Sequence, residues 1–149
     1  MVIFVGAQGS GKTTLYRQRF ASTHVHISKD RMSRSADKRR QQRQLIEEAL
    51  QAQRSIVVDN THPSREDRGE LIDQARAHRA RVIAYYFEST LADCLRRNAL
   101  REGAERIPRV AVVALHKRLQ PPTLDEGYDA LYVARILEGE KTFEITRLR

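Results

Sequence analysis

Val2-Ile3-Phe4-Val5-Gly6-Ala7-Gln8-Gly9-Ser10-Gly11-Lys12-Thr13-Thr14 follows the initial methionine, and its reading decides the fold. Residues 2–5 are a short apolar run rich in β-branched side chains, as expected of a buried strand, and Gly6 closes it. Gly6 to Thr13 satisfies the pattern G-x-x-x-x-G-K-[ST], with a strand before it and a helical pattern after it, which is the context a phosphate-binding loop (P-loop) requires. The glycines let backbone N–H groups converge on phosphate oxygens at the positive end of a helix. The expected nucleotide-binding residues are therefore Gly6, Ala7, Gln8, Gly9, Ser10, Gly11, Lys12, Thr13 and Thr14. Lys12 would reach the β- and γ-phosphates of ATP, and the Thr13 hydroxyl would ligate Mg²⁺. The alternative is a glycine-rich turn that binds nothing; the flanking elements argue against it.

Working outward, strand-like and helix-like patterns alternate. Residues 12–20 read as the helix after the loop and 24–27 as a second strand. A polar, arginine-rich helical stretch follows, with Leu45, Ile46, Ala49 and Leu50 at helical spacing. Residues 55–58 form a third strand closing on Asp59-Asn60-Thr61. Ser64 with Asp67, behind Pro63, is a capping box for the next helix, and Thr90 with Asp93 is a second one after a strand at 81–87. Residues 107–119 read as a helix stopped by Pro121-Pro122. Residues 130–136 are the last clear strand, and 142–145 a weaker one. Such alternation implies right-handed crossovers and a mostly parallel sheet of about five strands, covered by helices on both faces. These 149 residues are expected to form a single domain of this P-loop α/β class, related to adenylate kinase.

Ligands of open parallel sheets bind beyond the carboxyl ends of the strands, so the chemistry is expected after Val5, Ile27 and Val58. Asp59 ends a strand where P-loop proteins keep a carboxylate near the threonine–magnesium pair; an Asx turn is the alternative. Asp30 follows the second strand and could accept the proton of an attacking hydroxyl, or could cap the next helix. Around it stand Lys29, Arg31, Arg34, Lys38, Arg39, Arg40 and Arg43 against only Asp30 and Asp37. That stretch is either a solvated helix face or a cradle for a phosphate backbone. Arg97 and Arg101 share a helix face at i,i+4 spacing, opposite the Leu91/Leu95 stripe, ahead of a polar stretch at 102–106. Arginines carried to a transferred phosphoryl group by a lid fit that arrangement. Surface solvation accounts equally well for Arg96 and Arg106.

Composition sets the outer bounds. The chain carries 27 Lys and Arg against 19 Asp and Glu, a net charge of +8 that favours polyanionic partners. A single cysteine, Cys94, excludes an internal disulfide and a thiolate metal cluster, and it falls in an apolar helical pattern as a core residue. The five histidines lack metal-ligand spacing; only His62 falls in an expected site loop. No apolar run approaches the ~20 residues needed to span a bilayer. The first residues lack the character of a signal peptide, so a cytoplasmic location is the expectation.

The residues resemble the 5′-polynucleotide kinases, those of phage and the kinase domain of mammalian polynucleotide kinase-phosphatase. The resemblance runs through the P-loop and Ser28-Lys29-Asp30, then Val58-Asp59-Asn60-Thr61-His62-Pro63. It continues in Arg96-Arg97-Asn98-Ala99-Leu100-Arg101, Ile107-Pro108 and Pro122-Thr123-Leu124-Asp125-Glu126-Gly127-Tyr128. It implies ATP-dependent phosphorylation of a 5′-hydroxyl of DNA or RNA, with Asp30 as general base and Lys12, Arg97 and Arg101 on the donor phosphates. Thr13 and Asp59 would serve the metal, and Lys29, Arg31, Arg34, Asn60 and His62 the acceptor. His62 replaces an asparagine of the family, and the family's acceptor-phosphate arginine has no aligned counterpart, leaving Arg31 or Arg34 to substitute. A small-molecule kinase and a non-catalytic nucleotide-dependent module are the competing readings.

Overall fold

Strand β1 (Val2–Val5) is buried along its whole length, because it occupies the middle of a sheet covered on both faces. The computed structural model describes residues 1–33, 37–137, 139 and 141–149. Among these residues the sheet has six strands in the order β2-β3-β1-β4-β5-β6. These are β2 (Val25–Ile27), β3 (Ile56–Asp59), β4 (Ile83–Phe87), β5 (Ala130–Ile136) and β6 (Phe143–Leu148). The first five are parallel, and β6 returns antiparallel along β5, pairing Ile136 with Phe143 and Leu131 with Leu148. The α/β class expected from the sequence is the one observed, with the weak strand candidate at 142–145 realised as a full edge strand.

Alternation along β1 divides the interior. Ile3 and Val5 face a core with Ile46 and Leu50 of α2 (Lys38–Gln51) and Leu71, Ile72 and Ala75 of α3 (Arg65–Ala77). Val2 and Phe4 face a second core with Leu15 of α1 (Lys12–Leu15), Phe87 and Ala134. Phe4 meets Phe87 edge-on at 4.9 Å and Phe20 at 5.7 Å, the favoured geometry for aromatic pairs. The helix expected over 12–20 is α-helical only to Leu15 and widens to a π turn over Tyr16–Phe20. A third cluster, Ala7, Cys94 and Val112, seats α4 (Leu91–Ala99) and α5 (Arg109–Arg118) against the P-loop. Among the described residues no helix is long and apolar enough to cross a membrane.

The Ser64–Asp67 capping box forms as expected and opens α3, while Thr90 accepts the Asp93 N–H at the start of α4. Arg68, on α3, is fully buried. Its guanidinium grips both oxygens of Glu126 at 2.7 and 2.8 Å and donates to the carbonyls of His62 and Gln120. Tyr128 Oη donates to the same carboxylate at 2.9 Å. Burial opposes the charge on Arg68, but this bidentate pairing more than offsets it and raises the pKa, while burial beside Glu126 also raises that of Tyr128. The Pro122–Tyr128 motif therefore fastens the chain after α5 to α3 through Glu126 and Arg68.

Candidate active site

The P-loop follows β1 as a close backbone wrap. Gly11 adopts φ 96° and Gly9 φ 78°, both in the left-handed region. A Cβ on Gly9 would lie 2.7 Å from the Cys94 carbonyl oxygen, so only glycine lets α4 pack this closely. Lys12 Nζ donates to the carbonyls of Gly6 at 2.9 Å and Ala7 at 2.7 Å, curled into the loop. Burial lowers its pKa to about 8; nearby Asp59 opposes the shift and Arg101 adds to it.

Asp59, at the end of β3, is 4% exposed. Its Oδ2 accepts the Thr13 hydroxyl at 3.0 Å and faces His26 Nε2 at 2.8 Å. Two hard oxygens side by side suit Mg²⁺, which prefers oxygen ligands and keeps several waters. Among the described residues no group of three or more His, Cys, Asp or Glu side chains is arranged to hold a metal. A hydroxyl and one carboxylate beside a phosphate loop are the fitting alternative.

Asp30 lies in the three-residue turn Lys29–Arg31 after β2. The capping alternative does not describe it: Ser28 caps that turn, and Asp37 caps α2 by accepting from the N–H groups of Arg39 and Arg40. Among the described residues no side chain pairs with the Asp30 carboxylate; it is exposed and close enough to Lys12 to act on its charge. The turn is held from behind by Asn60, whose Oδ1 accepts the Lys29 N–H at 2.9 Å and whose Nδ2 donates to Gln42 Oε1 at 2.6 Å. Asn60 thus braces the site, both ends of its amide already engaged.

The two arginines expected on the donor phosphates divide. Arg97 Nη1 donates to the Gly9 carbonyl at 3.1 Å and Ser89 Oγ at 2.9 Å, so it supports the loop directly. Arg101 is half-buried, acts on Lys12, and has no side-chain partner among the described residues. Arg106 donates to the carbonyls of Arg101 and Ala99, finishing the helix end. Asn98 bonds both backbone groups of Ile107, closing the segment between α4 and α5.

His62 is not placed as a substrate contact. It is 6% exposed, its Nδ1–H donates to the Phe4 carbonyl at 2.7 Å, and burial lowers its pKa to about 4, leaving it neutral. Its Nε2 is buried without a partner among the described residues. The acceptor contact expected of His62 is dropped for this reason. Arg34 lies outside the described residues. Of the remaining basic stretch, Arg39 pairs with Glu70 on the surface, Lys38 is half-buried, and Arg40 and Arg43 are exposed. His26 and Arg68 carried no signal in the sequence: one is an isolated strand histidine, the other an ordinary helical arginine.

Loop and carboxylate together are the equipment of a P-loop protein, and the sequence profile of the AAA domain family matches residues 1–122. The chain belongs to that family. This AAA domain is 27% identical over 132 residues to the bifunctional polynucleotide phosphatase/kinase of Schizosaccharomyces pombe. The match takes in 86% of the chain and 31% of that relative, so the domain spans under a third of the relative's length. A fungal RNA kinase crystal structure superposes with TM-score 0.64 at 21% identity, over 93% of this chain and 76% of that one. A gluconokinase from Sinorhizobium meliloti 1021 does so with TM-score 0.62 at 18% identity, over 89% and 80%. The AAA domain has a P-loop kinase fold related to polynucleotide kinases.

Proposed function

We propose that this domain transfers the γ-phosphoryl group of ATP to the 5′-hydroxyl end of DNA or RNA. The observation that carries the reading is the Asp30 carboxylate, exposed, without a side-chain partner among the described residues and close enough to Lys12 to act on its charge, on a turn it shares with Lys29 and Arg31. In the reaction the 5′-oxygen attacks the γ-phosphorus in line, its proton passes to Asp30, and ADP departs. Lys12 and Arg101 hold the phosphoryl oxygens as charge redistributes, and Arg97 keeps the loop in shape for them. Most of the acceleration then comes from positioning and charge stabilisation. Magnesium, held by Thr13 and by Asp59 through water, would neutralise charge between the β- and γ-phosphates.

A sugar or nucleoside kinase on the same fold is the second reading, favoured by the gluconokinase likeness. The basic positions Lys29, Arg31, Lys38, Arg40 and Arg43, along with Arg34, speak for a polyanionic acceptor, since a neutral metabolite has no use for them. The test is ADP release from ATP in the presence of 5′-hydroxyl oligonucleotides, 5′-phosphorylated controls, gluconate and nucleosides. Stimulation by the 5′-hydroxyl strands alone is expected; stimulation only by a small molecule would overturn the polynucleotide reading while leaving the kinase.

A further inference from the structure

His26, on β2, stands between the two sides of the cleft. Its side chain is 10% exposed and stacks on Tyr16, the ring centroids 3.9 Å apart and the planes 13° from parallel. Nε2 lies 2.8 Å from Asp59 Oδ2, the oxygen that also accepts the Thr13 hydroxyl. On the other edge of the ring, Arg31 Nη1 lies 3.2 Å from Nδ1. A guanidinium can only donate, so Nδ1 is the acceptor; in the neutral ring Nε2 therefore carries the hydrogen and donates to Asp59. The two partners select one tautomer, and a continuous path of donors runs from Arg31 through His26 to the carboxylate that faces Thr13.

We infer that His26 is a positioning residue that ties the acceptor side of the site to the metal side. It fixes which way the Asp59 carboxylate points, and it holds the guanidinium of Arg31, the residue after Asp30 in the same turn. Arg31 is exposed and has no other side-chain partner among the described residues, so without the imidazole its head is free to wander. A packing role alone would need only the stack on Tyr16. The polar edges of the ring are what join Asp59 to Arg31, as hydrogen-bond partners commonly orient metal-binding carboxylates. The inference rests on the acceptor reading above for its Arg31 half and is independent of it for its Asp59 half.

His26→Phe keeps an aromatic ring against Tyr16 and removes both hydrogen bonds, whereas His26→Gln keeps a donor and an acceptor. His26→Leu replaces the phenylalanine variant should that one not fold. Binding of a fluorescent ATP analogue is titrated with Mg²⁺, and binding of a 5′-hydroxyl oligonucleotide is measured without nucleotide. The second measurement covers the parent, His26→Phe, Arg31→Ala and the double variant. In His26→Phe the Mg²⁺ midpoint is expected to rise roughly tenfold, with metal-free nucleotide binding unchanged. Oligonucleotide affinity is expected to fall as far as in Arg31→Ala, and the double variant to be no weaker than either single one, since coupled residues are non-additive. Glutamine is expected to recover most of both properties. An unchanged Mg²⁺ midpoint overturns the Asp59 half, and losses that multiply in the double variant overturn the Arg31 half. A parent that binds no oligonucleotide overturns the acceptor reading together with the Arg31 half, while the Mg²⁺ titration still decides the Asp59 half.

Discussion

In the proposed reaction the donor and acceptor sides of the site are built from different materials. On the donor side the backbone does the holding: glycines at positive φ, carbonyls that receive Lys12, and a loop pressed against the Cys94 carbonyl. On the proposed acceptor side the charge sits on side chains of a three-residue turn and the start of α2, with Arg31, Arg39 and Arg40 exposed and Lys29 and Lys38 half-buried. A triphosphate has one shape and rewards a preformed cradle, whereas an acceptor chain of many shapes is better met by mobile charge. Donor-side changes should therefore be severe and local, and acceptor-side changes graded and sensitive to salt.

The largest effect is expected from Lys12→Met, which keeps much of the volume and removes the charge; turnover at saturating ATP should fall ~10²-fold or more. Near-parental rates would remove the P-loop from the chemistry. Asp30→Asn comes next, with turnover down on the order of 10²-fold. Its ATP affinity and melting temperature should stay level, because Asp30 caps neither the turn nor α2. A loss of stability with intact activity would make Asp30 a structural residue and erase the contrast between the sides. Gly9→Ala places a Cβ 2.7 Å from the Cys94 carbonyl oxygen at φ 78°. It should cost on the order of 1–3 kcal/mol in thermal or denaturant unfolding, with weaker nucleotide binding.

A smaller effect tests the charge on the donor side. Burial holds the Lys12 pKa at about 8, and a phosphate beside Nζ would raise it. Nucleotide binding then takes up a proton near and above that pH. Affinity should be level well below pH 8 and weaken as pH rises through it, approaching roughly tenfold per unit, as read by calorimetry in buffers of different ionisation heat. An affinity flat to pH 9 would mean that the lysine is already fully charged in the empty loop. The smallest single-residue effects belong to Lys38, Arg40 and Arg43. Neutralising any one that meets a phosphate should flatten the log–log salt dependence of oligonucleotide binding by about 0.7 for a single strand. No change from any of the three would return them to a solvated surface.

The same contrast explains what was legible in the sequence. The P-loop, the strands and the helix caps are local codes, in which a few adjacent residues prescribe a backbone shape; they are found within a residue or two of where they were expected, with the Ser64–Asp67 box complete and the Thr90–Asp93 one only half formed. Strand β6 was faint because, at the sheet edge, it never becomes buried and alternates without a continuous apolar run. The π turn over Tyr16–Phe20 closes its hydrogen bond one residue further along than an α-helix does, too small a change to disturb the pattern. Arg68 reads as a surface arginine because its partner Glu126 is 58 residues away. The surroundings of His26 and His62 were hidden for the same reason. Position in a motif drew attention to His62, but tertiary packing turned it inward and left His26 against Asp59.

The antiparallel return of β6 also decides where the polypeptide leaves the fold. Val2 pairs with Ile83 at the start of β4, and the Met1 amino group donates to the Arg81 carbonyl at 2.6 Å. Leu148 pairs with Leu131, near the start of β5. Both termini therefore emerge at the rim of the sheet opposite the P-loop. Covalent neighbours attached at either end would hang from the floor of the molecule, leaving the mouth open.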